Sequence, residues 1–179
     1  RFDHAKIRDV LYGDIPEELR REYHRLVGEA LFELDQTSFG GPAAAELAYH
    51  FQRAGDSRTA GYLVKAADIA KSSFANEEAV RLYSDAIPLL HGGDKVAAEE
   101  SLADILSIMG RHDAALGSLE AASELAEDRG TKARLSRKGA EVSQRTGDFY
   151  AVLAQVAAAK AEFADLGGPE QGRLSIWEA

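Results

Sequence analysis

The residues that could do chemistry are scattered along this chain. Five histidines, His4, His24, His50, His91 and His112, are its imidazole ligands and neutral-pH proton carriers. None lies three or four positions from another, so no two share a helix face, and a metal site would need convergence in three dimensions. No metal is expected. The acidic pairs Glu77-Glu78 and Glu99-Glu100 have the form of acid–base candidates. Glu77-Glu78 opens a helical segment, where the positive helix end favours it by about 0.3–1 kcal/mol. Glu99 and Glu100 read as a solvated or groove-facing edge. The chain has no cysteine, which removes thiolate nucleophiles, thiolate zinc sites and disulfides. It carries no phosphate-cradling Gly-x-x-x-x-Gly-Lys-[Ser/Thr], no Gly-x-Gly-x-x-Gly, no Gly-x-Ser-x-Gly elbow and no His-Glu-x-x-His. The expectation is therefore a non-enzymatic chain with no catalytic residue and no cofactor.

Charge narrows the partner class. Across 179 residues, 21 Lys+Arg face 30 Asp+Glu, a formal net charge of -9, which argues against nucleic acid as the main partner. Two basic clusters stand out. Arg20-Arg21 lies beside Glu17, Glu18 and Glu22, so pairing along a helix accounts for it. Arg134, Arg137 and Lys138 read as facing away from nearby acids, first as ordinary solvated surface charge and, as the alternative, as open to an anionic partner. No apolar run approaches the roughly 20 residues a membrane helix needs.

These side chains must be held by helices. Alanine is the commonest residue, Val, Ile and Thr are scarce, and no strand-type alternation is sustained. Breakers at 13–16, 37–42, 55–56, 72–76, 92–94, 110–113, 129–130, 147–148 and 167–169 cut the chain into segments of helical length. The segments fall at about 3–11, 16–34, 43–54, 57–71, 77–90, 95–109, 113–128, 131–146 and 149–166. Pro16 suits a first helical position. The stripe Leu19, Tyr23, Leu26, Val27, Ala30, Leu31 and Leu34 predicts the buried face of the second segment. Pro88 should bend or fray the end of its helix, because it lacks a donor and crowds the preceding turn. Of the tyrosines, Tyr12, Tyr23, Tyr49, Tyr62, Tyr83 and Tyr150, most sit at helical spacing within apolar faces and read as packing residues rather than as a binding stripe. His24 and His50 read as residues at helix contacts, and His112 as a turn residue.

Small residues recur. Ala79, Ala115 and Val152 are 36 and 37 positions apart, each followed by a larger apolar residue (Tyr83, Leu119, Val156) and then by Ala86, Ala122 and Ala159. In the helix before each stand Ala67, Ala103 and Ala140. Helices pack closely only where a small side chain meets the partner's backbone and a larger one fills the space beside it. This pattern, with Ala75 to Ala86 as its best stretch and Gly147-Asp148-Phe149 as a turn, resembles the tetratricopeptide repeat (TPR). The Trp and Pro positions of the ideal repeat are missing. The resemblance implies an all-α fold, a right-handed α-solenoid of antiparallel helix pairs.

The N-terminal stretch Phe2 to Tyr12, with Arg20, Arg21 and His24, and the stretches Ala48-Tyr49-His50-Phe51 and Arg53 to Asp56, resemble a second family. It is the junction in bacterial signalling proteins where an ATPase module runs into a helical repeat array, as in LuxR-type transcriptional regulators and ATPase-linked nucleotide cyclases. This likeness implies a cytoplasmic piece of a longer regulator: residues 1–36 as a helical hairpin joining a missing upstream ATPase module, and residues 43–179 as a TPR-like array cut at its C-terminus. ATPase, DNA-binding and cyclase activities would belong to other domains.

Stacked helix pairs leave one concave side, lined by the first helix of each pair. Projecting the repeat places Tyr49, Val64, Asp68, Lys71, Glu100, Asp104, Ser107, Arg134, Arg137, Glu141 and Gln144 there. Of these, Tyr49, Asp68, Lys71, Glu100, Asp104, Arg134, Arg137 and Glu141 are the candidate partner-binding residues. The middle of this groove reads as acidic and its last repeat as basic, which suits an extended peptide or a helix of another protein. A small-molecule effector in the same groove is the alternative. No nucleic acid and no membrane is expected as partner. Leu174, Ile176 and Trp177 at the C-terminal end predict self-association.

Overall fold

A computed structural model describes residues 10–37 and 44–146. Among them the regular structure is entirely helical. After a helical turn at residues 10–13 come α1 (Glu17–Thr37), α2 (Ala44–Ala54), α3 (Thr59–Ser72), α4 (Asn76–Ala86), a 3-10 turn (Ile87–Leu89), α5 (Gly92–Ile108), α6 (His112–Leu125) and α7 (Arg129–Thr146). The chain forms two compact units, Arg1–Ala66 and Ala67–Ala179, whose boundary falls inside α3. The expected helix at 149–166, Val152, Val156, Ala159, Tyr150 and the apolar C-terminal end lie outside the described residues, as does the expected N-terminal helix up to residue 9.

In the first unit α1 packs on α2. The face it uses is not the apolar stripe. Leu19, Tyr23, Leu26, Val27 and Leu34 are 42–51% exposed, and Ala30 is exposed with them. His24 and Gly28 are buried instead, with Arg20, Phe32 and Asp35 half-buried on the same face at i+3 and i+4 spacing. The cause is a close approach. A Cβ on Gly28 would lie 3.0 Å from Phe51 Cε1, so the two helices meet only where that side chain is absent. Phe51, fully buried on α2, sets its ring edge to Phe32 and near Tyr62, and the Arg58 guanidinium lies 4.2 Å from its centroid. Arg58 also bridges Asp56 (2.6 Å) and Glu29 (2.5 Å), tying the α2–α3 turn to α1.

In the second unit α4 packs on α5, α5 on α6 and α6 on α7. Here the small-residue register holds. Ala79, Ala86, Ala115 and Ala122 are wholly buried, Ala67, Ala103 and Ala140 nearly so, and Tyr83 and Leu119 fill the space beside them. Helix α4 ends at Ala86, two residues before Pro88, and Ile87–Leu89 continues as a 3-10 turn. The double glycine at 92–93 falls inside the first turn of α5 rather than before it. Asp128 Oδ1 accepts the Thr131 backbone N–H (2.7 Å) and caps α7.

Three helices end alike. The N–H of Asp56, Ala75 and Arg111 donates to the carbonyl five residues back, on Phe51, Ala70 and Leu106. The preceding residue takes a left-handed conformation, which suits Gly55 (φ 72) and Gly110 (φ 76) but falls to Phe74 (φ 60) in the middle case.

Candidate functional site

The second unit turns one charged face outward from the last turns of α3, from α5 and from α7. Helical spacing puts Glu100, Asp104 and Ser107 in one row on α5, and Arg134, Lys138, Glu141 and Arg145 in another on α7. The rows meet. Glu100 accepts from Arg134 (3.0 Å) and Lys138 (2.9 Å), and Lys138 also reaches Asp104 (2.7 Å). Lys71 stands 3.8 Å from Asp104 on its other side, Arg137 donates to Glu141 on α7, and Arg145 donates to Ser107 (3.3 Å). Asp68 accepts the Tyr83 hydroxyl. Burial pushes that phenol up, the Asp68 carboxylate adds to it, and it reaches about 12.

Of the residues expected in a partner groove, Asp68, Lys71, Glu100, Asp104, Arg134, Arg137 and Glu141 share this face. Tyr49 and Val64 belong to the first unit, where Tyr49 is half-exposed beneath Arg53 (4.8 Å) and edge-on to His24 and His50. Three expectations fail. The basic cluster of α7 does not face away from acids: it neutralises the acidic row of α5, so the face carries paired charges rather than an acidic middle and a basic end. Glu99 is no solvated edge, since it is buried among the core residues of α5. Tyr23, half-exposed, is likewise not a packing residue.

Lys138 and Arg145 were absent from the expected groove. A signal for Lys138 exists in the sequence: Glu77–Arg111, Glu100–Arg134 and Asp104–Lys138 are ion pairs 34 positions apart, one repeat length, with the acid always first.

Burial pushes the Glu100 carboxyl up, but the hydrogen bonds from Lys138 and Arg134 more than reverse this and hold it below the usual range. Burial presses the Lys138 ammonium down, and Asp104 and Glu100 more than reverse that. Both groups move away from neutral pH, the wrong direction for proton transfer and the right one for a fixed charge. A depression of about 330 Å³ opens between Lys71, Asp104, Lys138 and Arg145, floored by Leu119 and Val142 and edged by the strongly exposed Ile108. Among the described residues no three metal-ligating side chains converge, and no helix is long and apolar enough to cross a membrane.

No protein-family model matches the chain, and no curated protein matches it. Solved structures do. A kinesin-light-chain-like protein of P. anserina with nearly identical TPR-like repeats is 17% identical, with a TM-score of 0.53 over 86% of this chain and 95% of that one. BtubC (BKLC) of P. vanneervenii is 18% identical, with a TM-score of 0.55 over 86% and 77%. A Rap protein complexed with Competence and Sporulation Factor is 17% identical, with a TM-score of 0.51. The match covers 95% of this chain, which spans half the length of that protein. The fold is thus that of the TPR-like helical repeat proteins.

Proposed function

We propose that this chain is a non-catalytic scaffold that docks another protein on the charged face of α3, α5 and α7. The observation that carries the reading is the ladder from Lys71 through Asp104 and Lys138 to Glu100 and Arg134, whose Lys71, Asp104 and Lys138 line an open depression with apolar floor and rim. Paired charges of both signs can exchange their internal partners for those of an incoming chain, so they set register and exclude wrong partners more than they add affinity. The exposed Ile108 supplies apolar contact within the same depression. An extended peptide or an amphipathic helix carrying both signs is the partner that fits. That a Rap protein of this fold is found with a bound factor supports the reading. So does the electrostatics of Glu100 and Lys138, whose partners hold both in their charged forms. The resemblance of the N-terminal stretch to ATPase-linked regulators supports placing this scaffold in the cytoplasm, within a larger bacterial regulatory protein, where docking would be relayed as a signal.

The test is fluorescence anisotropy of the chain against a panel of mixed-charge peptides. Capture in the micromolar range, weakened at least about tenfold by both Asp104→Lys and Lys138→Glu, supports the reading. Binding indifferent to both reversals, or none across the panel, rejects it.

A further inference from the structure

One cavity of the first unit gathers three arginines. Arg20 and Arg21 on the early turns of α1 and Arg53 at the end of α2 line a cavity of about 230 Å³, with Tyr12, Glu17, His24 and Gln52 as its other walls. The guanidinium carbons of Arg20 and Arg53 lie 5.4 and 5.9 Å from the same Tyr12 ring. Arg53 also donates to the Tyr12 hydroxyl (3.4 Å), which contacts His24 Nε2 at 2.7 Å. His24 is buried, and its Nδ1 meets His50 Nδ1 at 3.0 Å, so one ring donates and the other accepts.

Glu17, 3.4 Å from Arg20, is the one carboxylate paired with any of these arginines among the described residues. Three guanidinium groups against one carboxylate leave two positive charges. Arg20 Nε is moreover buried with no hydrogen-bond partner. In a chain with a net charge of -9, acids to neutralise such a cluster are abundant, and they pair with Arg58, Arg81, Arg111, Arg134 and Lys138. Like charges held together this way repel, and a buried donor left unpaired is costly, unless an anion completes the arrangement.

We propose that this cavity is an oxyanion site that takes a phosphoryl group of a small molecule, held by Arg20, Arg21 and Arg53 and oriented by the Tyr12 hydroxyl. A carboxylate presents two oxygens in one plane, whereas a tetrahedral phosphoryl group presents oxygens in three dimensions to donors arriving from three side chains. Its dianionic charge matches the local surplus. His24 fixes Tyr12 from behind and acts as a positioning residue. The site lies in the first unit and is independent of the docking face described above.

The experiment is isothermal titration of the full chain with inorganic phosphate, pyrophosphate and succinate at low salt, repeated on Arg21→Gln, Arg53→Gln and, as control, Arg25→Gln, whose guanidinium pairs with Glu22 outside the cavity. The expected result is saturable phosphate or pyrophosphate binding below about 1 mM. Arg21→Gln and Arg53→Gln should each weaken it at least about tenfold, with Arg25→Gln unchanged and added salt weakening all. If Arg53→Gln fails to fold, the exposed Arg21→Gln decides. No saturable binding, equal affinity in Arg21→Gln and Arg25→Gln, or succinate binding as tightly as pyrophosphate would each overturn the assignment.

Discussion

The two units solve the same packing problem with opposite materials. In the second, alanines at the helix crossings let backbones approach, and a tyrosine or leucine closes the gap: Ala79, Ala86, Ala115 and Ala122 are fully buried. In the first, α1 turns Leu19, Leu26, Val27 and Leu34 outward, keeps Leu31 half-buried, and packs through Gly28, His24 and Phe32. A hydrophobic stripe shows that a helix has two faces. It does not show which one the neighbouring helix takes, because one glycine can bring a polar row closer than a branched apolar row could come.

Substitutions at the crossings test this contrast with the largest effect. Ala115→Leu should destabilise by about 1–3 kcal/mol through overpacking in urea unfolding, whereas Leu26→Ala on the outward stripe of α1 should stay within about 0.5 kcal/mol. A silent Ala115→Leu would break the alanine register. A costly Leu26→Ala would show that the outward stripe is covered. Gly28→Val should also cost about 1–3 kcal/mol, since its side chain meets Phe51 and His50.

Next in size is the charged ladder. Lys138 is largely enclosed and serves two carboxylates, so Lys138→Ala should cost about 1–2 kcal/mol, less than a fully buried pair because water reaches part of the network. Smallest is Phe74→Gly. Phe74 holds a left-handed backbone and is strongly exposed, so glycine relieves strain without losing burial, and a gain of about 0.5 kcal/mol should appear as a slightly raised melting temperature.

Much of this fold is written in local patterns. Gly55 and Gly110 mark helix ends, Pro88 marks the 3-10 turn, and the alanines of α3 to α7 mark the crossings, because each acts over a few residues of backbone. The charged face was legible residue by residue, but its state was not. Whether Arg134 meets solvent or Glu100 depends on two helices 34 positions apart, and only the recurrence of acid and base at that interval encodes it. The same holds for the row of α1 that packs. Arg20, His24 and Gly28 look like an ordinary polar face until Phe51 and His50 are brought opposite.

The two materials also differ in what acid does to them. Burial holds His24 and His50 below their usual value, and the charge of Arg53 adds to this, so the fold resists a proton that the unfolded chain accepts near 6.5. Their contribution is complete above that pH and is lost as pH falls below it. Glu100, net depressed by Lys138 and Arg134, contributes above about 4.5 and loses that contribution only as pH falls through its lowered value. Hydrogen exchange read by mass spectrometry at pH 7.5, 6 and 5, corrected for intrinsic rates, compares the two directly. Amides of α1 and α2 should lose protection between the first and last of these, while those of α5, α6 and α7 keep theirs. Equal loss in both regions, or earlier loss in α5 to α7, would contradict the claim that a histidine contact holds one unit and an alanine register the other.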